Sequence, residues 1–116
     1  MKIYVSHSTN FDYQAELYGP LREHFSEQIL FLPHEKSTET MDSKNTIKDA
    51  DMVLAEVSYP STGQGIELGW ANDAGVPIIC IHREDAKHSG ALEIVSDKLI
   101  SYSSTDDLVS KLRKFI

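Results

Sequence analysis

The chain has 116 residues, Lys+Arg 11 against Asp+Glu 18 for a formal net charge of −7, and 41% hydrophobic with 25% charged residues. That length suits one domain around one core, and the ordinary composition excludes a long disordered segment. The acidic balance argues against a nucleic-acid polymer as partner: Lys111, Arg113 and Lys114 come nearest to a basic cluster, and they fall in the last turn of a C-terminal helix, where cations favour the helix dipole.

Lys2-Ile3-Tyr4-Val5-Ser6 reads as a strand that runs into the polar loop His7-Ser8-Thr9-Asn10. Its immediate start, without a signal peptide's apolar core, and the lack of any run near the roughly 18 apolar residues of a membrane span predict a cytosolic protein without membrane contact. Helical spacing of Ala15, Tyr18, Leu21 and Phe25 predicts a helix over about 11–27, bent or interrupted at Pro20. Ile29-Leu30-Phe31-Leu32 predicts a strand buried on both faces, and the polar stretch 34–42 a mobile loop.

A short helix is expected over 43–50, with Asp42 or Ser43 as its cap, and a third strand over 52–57. The helix expected over 65–74 ends at Gly75, and Pro77-Ile78-Ile79-Cys80-Ile81 reads as a fourth strand that buries the lone cysteine as a core thiol. A helical stretch over 89–96, a strand over 98–102 and a helix capped by Ser104-Thr105-Asp106-Asp107 complete the chain. Five strand–helix alternations with short connections predict a flavodoxin-like (Rossmann-like) three-layer α/β sandwich, with a five-stranded parallel sheet in the order 2-1-3-4-5. The loops after strands one and three would then meet at the switch point, where such sheets bind ligands.

The loop after strand three, Ser58-Tyr59-Pro60-Ser61-Thr62-Gly63-Gln64-Gly65, brings hydroxyls and flexible backbone to that point, and Glu67 follows it. Read as a first-turn residue, Glu67 would be kept ionised by the helix dipole, available as nucleophile or electrostatic stabiliser. The five histidines show no ligand spacing with acids or cysteine, which leaves a metal without support, and neither a Gly-x-Ser-x-Gly elbow nor a Walker pattern is present. No cofactor is implied. Trp70 reads as core or subunit interface.

Ala55-Glu56-Val57-Ser58-Tyr59-Pro60-Ser61-Thr62-Gly63-Gln64-Gly65-Ile66-Glu67-Leu68-Gly69-Trp70-Ala71, preceded by Ala50-Asp51, resembles the signature of the nucleoside 2-deoxyribosyltransferase family, closest to its 2′-deoxynucleoside 5′-monophosphate N-glycosidase branch. The resemblance implies an N-glycosidase or transferase acting on a small nucleotide or nucleoside. It gives Glu67 as the nucleophile that attacks C1′, Tyr4 as its hydrogen-bond partner, and Ser8 and Ser61 as phosphate contacts. The hydroxyls and flexible backbone of the Ser58–Gly65 loop, Ser58, Gly63 and Gly65 among them, are expected to cradle the sugar and phosphate, and by the resemblance Ser89 reaches a neighbouring subunit's site in a homodimer.

Two positions depart from the family pattern. The aspartate that serves the leaving base is replaced by Ser43, with Asp42 beside it as either its substitute or a helix cap. In the first loop His7 replaces a glycine and Asn10 an arginine, so that His7 becomes a candidate phosphate contact. Two alternatives follow: a nucleotide-sensing module that has kept the fold and lost the reaction, and, because Val5-Ser6-His7-Ser8 with Asp12 resembles the opening of Toll/interleukin-receptor-like domains, an NAD glycohydrolase.

Overall fold

The strands of this chain are apolar throughout because each is asked to cover helices on two sides. In a computed structural model that describes residues 1–39 and 42–116, β1 (Lys2–His7), β2 (Ile29–Phe31), β3 (Met52–Glu56), β4 (Ile78–Arg83) and β5 (Lys98–Tyr102) form one parallel sheet in the order β2-β1-β3-β4-β5. Helices α1 (Gly19–His24), α2 (Lys44–Lys48), α3 (Thr62–Asp73), α4 (Leu92–Val95) and α5 (Thr105–Leu112) connect or follow the strands. Residues 40 and 41, inside the stretch expected as a mobile loop, lie outside the described residues. None of the described helices is long and apolar enough to cross a membrane.

Strand alternation sorts the core into two layers. Tyr4, Val53, Ala55, Ile78 and Cys80 face Ile47, Leu68 and Ala71, while Ile3, Val5, Leu54 and Ile81 face Leu17, Tyr18, Leu21, Leu108 and Leu112. Each fully buried leucine of this kind contributes about 1.5–3 kcal/mol relative to exposure. Burial among these side chains pushes the Cys80 thiol up to about 11, as expected of an inert core cysteine.

Four local expectations need correction. β2 is an edge strand, and its three residues are half-buried to exposed, because the order puts it outside β1. Pro20 does not break its helix: a π-helical turn over Gln14–Tyr18 precedes α1, with the Gly19 N–H donating to the Gln14 carbonyl, which widens the turn where proline has no N–H to give and would crowd the carbonyl four residues back. The stretch expected over 89–96 is helical over Leu92–Val95. Most consequential, α3 begins at Thr62, since the Ser61 hydroxyl accepts the Gln64 N–H and caps it.

Gly75 stops α3 at φ 72°, with nothing within 4 Å of where a Cβ would stand. Its substitution is therefore a test of backbone strain alone. Gly75→Ala is expected to cost about 1 kcal/mol, read as a lower urea midpoint at unchanged m-value.

Candidate active site

The carboxyl ends of β1 and β3 meet α3 at the switch point, and register sets Tyr4 opposite Val53 and His7 opposite Glu56. Tyr4 and Ser6, two residues apart on one strand, share the face toward α3. Both reach Glu67: Tyr4 Oη donates to Oε2 at 2.5 Å and Ser6 Oγ to Oε1 at 2.9 Å. A third hydroxyl arrives from the start of α2, where Ser43 Oγ donates to Oε2 at 2.5 Å. Burial first, and the carboxylate beside it second, raise the Tyr4 phenol well above its ordinary value, so it stays a proton donor to Glu67.

This arrangement corrects the dipole argument. With α3 starting at Thr62, Glu67 is the sixth helical residue and the first turn holds no acid, so dipole stabilisation has largely faded at its position. Three hydroxyls instead donate to the carboxylate and fix where it points.

A cleft of about 260 Å³ opens over Glu67, small for a ligand pocket. Tyr4, His7, Ser43 and Glu67 line it, Ser61, Gly63 and Gln64 bring the start of α3, and Thr9, His34, Thr38 and Trp70 are among the other lining residues. No Lys or Arg lines it among the described residues. Arg22 is bonded to Glu35 at 2.5 Å, and Arg83 is paired with Glu16.

The remaining candidates separate in space. Asp42 is exposed, and its Oδ1 accepts the Lys44 N–H at 3.2 Å, while Ser43 next to it is buried against Glu67; of the two readings of Asp42, the cap is the one its contacts match. Ser8 Oγ accepts the Asn10 N–H and shapes the first loop. Ser58 is buried, its Oγ accepting the Arg83 N–H at 2.8 Å, so it ties β3 to β4 and does not line the cleft. Gly65 and Ser89 line a second groove on another face of α3, with Leu68, Leu92 and Val95. Trp70, expected as core or interface, packs on the core and also lines the cleft.

His7 lines the cleft, as expected of a candidate contact, but its ring is committed elsewhere. It is 5% exposed, its Nδ1–H donates to the Ser8 carbonyl at 2.8 Å, and its Nε2 accepts from Tyr18 Oη at 2.6 Å. The tautomer follows from the partners, because a carbonyl can only accept and the Tyr18 oxygen already receives the His34 N–H at 3.0 Å. Burial is the main cause that lowers the His7 imidazole below its ordinary value, with the Ser8 bond opposing and His34 adding to the fall. A neutral, doubly bonded ring is a brace between two loops and brings no charge to a phosphate.

A pH dependence follows. The unfolded chain protonates His7 as pH falls through about 6.5, while the native ring stays neutral to lower pH, so stability is whole above that value and declines below it. In His7→Gln this part of the decline, at most about 1.4 kcal/mol per pH unit, should vanish from urea titrations between pH 7 and 5.

Two contributors were missed in the sequence. Ser6 was signalled by its two-residue spacing from Tyr4. Gln64 carried no signal: its Nε2 donates to the carbonyls of Ser6 and Glu56 at 3.2 and 2.7 Å, pinning α3 to the ends of β1 and β3.

The fold and site define a flavodoxin-like α/β domain that holds one carboxylate under a small cleft at its switch point. No family model matches the chain. A protein of Thermofilum pendens that carries the provisional name 2′-deoxynucleoside 5′-phosphate N-hydrolase 1 is 32% identical over 71 residues, which are 57% of this chain and 50% of that relative. The CMP N-glycosidase of Clostridium botulinum superposes with a TM-score of 0.75 at 19% identity over 100% of both chains. The 2-deoxyribosyltransferase of Bacillus psychrosaccharolyticus does so with a TM-score of 0.63 at 17% identity, over 94% of this chain and 90% of that one. The chain resembles nucleoside 2-deoxyribosyltransferase-like proteins in sequence over part of its length and in fold throughout, as its strand–loop–helix signature implied, and it spans half the length of the Thermofilum pendens relative.

Proposed function

We propose that the chain is an N-glycosidase that releases the base from a small nucleotide or nucleoside, a 2′-deoxynucleoside 5′-monophosphate first among them, through covalent attack by Glu67. The observation that carries this reading is the Glu67 carboxylate held by Tyr4, Ser6 and Ser43 in the lining of the cleft. The name of the Thermofilum pendens relative supports it.

Breaking the C1′–N bond develops positive charge on the sugar, and a fixed carboxylate under the ring stabilises that charge before bonding to it. Oε1, with one hydrogen bond, is the attacking atom. Oε2, with two, becomes the ester carbonyl and keeps both donors, so attack needs no rearrangement of the site. Water or an acceptor base then takes the sugar. Ser61, Gly63 and Thr9 stand where hydroxyl and N–H groups would receive the sugar or its 5′-substituent. The reading includes a homodimer in which Ser89, apart from its own chain's cleft on the second groove, serves the other copy's cleft.

The test is release of free base, followed by chromatography, from paired nucleosides and 5′-monophosphates with deoxyribose and ribose, each with and without an acceptor base. The pairing matters because no Lys or Arg lines the cleft. Release from at least one member by the wild type and none by Glu67→Ala is expected, and no release from any member overturns the reading.

A further inference from the structure

We propose that His34 is the acid that protonates the departing base; this rests on the N-glycosidase reading above. A base that leaves C1′ takes the bonding pair on its nitrogen and departs as an anion unless a proton reaches it. The position that would carry an aspartate for this purpose is Ser43, whose hydroxyl is committed to Glu67. The proton must come from elsewhere in the cleft.

Four titratable side chains line the cleft among the described residues: Tyr4, His7, His34 and Glu67. Glu67 is the nucleophile. The Tyr4 proton lies in the bond to Oε2, and the His7 ring has both nitrogens occupied in the neutral form. His34 differs in both respects. Its Nδ1 is 3.1 Å from the Ser37 carbonyl, which makes Nδ1 the donor there, and Nε2 has no hydrogen-bond partner among the described residues.

The ring is also held in place. The His34 N–H donates to Tyr18 Oη, and its carbonyl accepts from Tyr13 Oη at 3.2 Å and Gln14 Nε2 at 3.1 Å. The ring stands edge-on to His7 with centroids 5.5 Å apart. The brace of His7 and Tyr18 thus places His34 through its main chain, so a side-chain substitution leaves those contacts intact. The groups that set its charge are His7, Tyr13 and Tyr18 behind it, the Glu35–Arg22 pair beside it, and Tyr4 and Glu67 across the cleft.

The step balances as follows. Glu67 Oε1 bonds to C1′ as the C1′–N bond breaks, and Nε2–H of the imidazolium gives its proton to the base. Neutral His34 then takes a proton from the water that attacks C1′, which frees Glu67 and restores the imidazolium.

A base that already carries a positive charge leaves neutral and needs no acid. Rates are therefore compared on 2′-deoxyguanosine 5′-monophosphate and its 7-methyl derivative, with spontaneous release subtracted. His34→Asn, whose amide can replace Nδ1–H toward Ser37, is expected to lose about 10²-fold or more on the first and less than about 3-fold on the second. The ratio of the two rates within one variant is independent of the fraction folded, and His34→Gln provides a second reading of it.

Equal losses on both substrates, or none on either, overturn the role of His34 while a silent Glu67→Ala leaves the nucleophile standing. Base release by Glu67→Ala at a rate near the wild type's overturns the role of Glu67, and no release by the wild type from any member of the nucleotide panel overturns the N-glycosidase reading, each taking this proposal with it.

Discussion

Glu67→Ala is expected to lower the rate of the proposed base release on the order of 10⁴-fold or more while the fold stays intact. The size of the loss follows from the two tasks joined in one group, charge stabilisation and covalent capture, whose removal forces direct attack by water on an unsupported cation. Glu67→Gln separates charge from shape: its amide oxygen can accept from the Tyr4 and Ser43 hydroxyls while its NH2 donates to Ser6 Oγ, but it is a poor nucleophile, and it should be nearly as inactive. Intact-mass spectra of rapidly quenched mixtures should show a sugar-mass adduct on the wild type and none on either variant. A residual rate within 10-fold of the wild type, with an unchanged melting temperature, would show that Glu67 only lines the cleft.

The largest loss of stability is expected at a different acid. Glu56 ends β3 on the sheet face opposite to Glu67 and is 1% exposed. One carboxylate oxygen accepts the Ser58 N–H at 2.5 Å, the other accepts from Tyr102 Oη, and its main-chain carbonyl accepts from Gln64. Glu56→Ala leaves a buried N–H and a buried phenol without partners and opens a cavity between β3 and β5. The cost should be about 3–5 kcal/mol, roughly 12–20 °C in Tm. Glu56→Gln keeps an acceptor and should lose less than half of that. Calorimetry of the pair is decisive, and a loss under 1 kcal/mol for alanine would mean that water replaces the carboxylate.

These two glutamates lie eleven positions apart around one strand–loop–helix join, and the sequence distinguished them unevenly. Glu67 stood out because a hydroxyl-rich loop precedes it, whereas Glu56 looked like one more residue of an apolar strand. Asp42 and Ser43 show the same limit from another side. The resemblance left Asp42 open as substitute or cap, and the backbone turns Asp42 to solvent and Ser43 to Glu67, a one-residue choice that depends on where α2 begins. His7 read as a candidate phosphate contact in a polar loop; Tyr18, eleven residues on, makes it a buried neutral brace.

What the sequence by itself determined was the sheet of five parallel strands, its order, and the carboxylate at its switch point, since strand and helix periods and connection lengths are local properties that right-handed crossovers convert into one topology. The tertiary structure decided how that carboxylate is held. The hydroxyls that fix Glu67 come from positions 63, 61 and 24 residues away in the chain, and hydrogen bonds across such separations depend on where whole elements cross, a relation that no local period encodes.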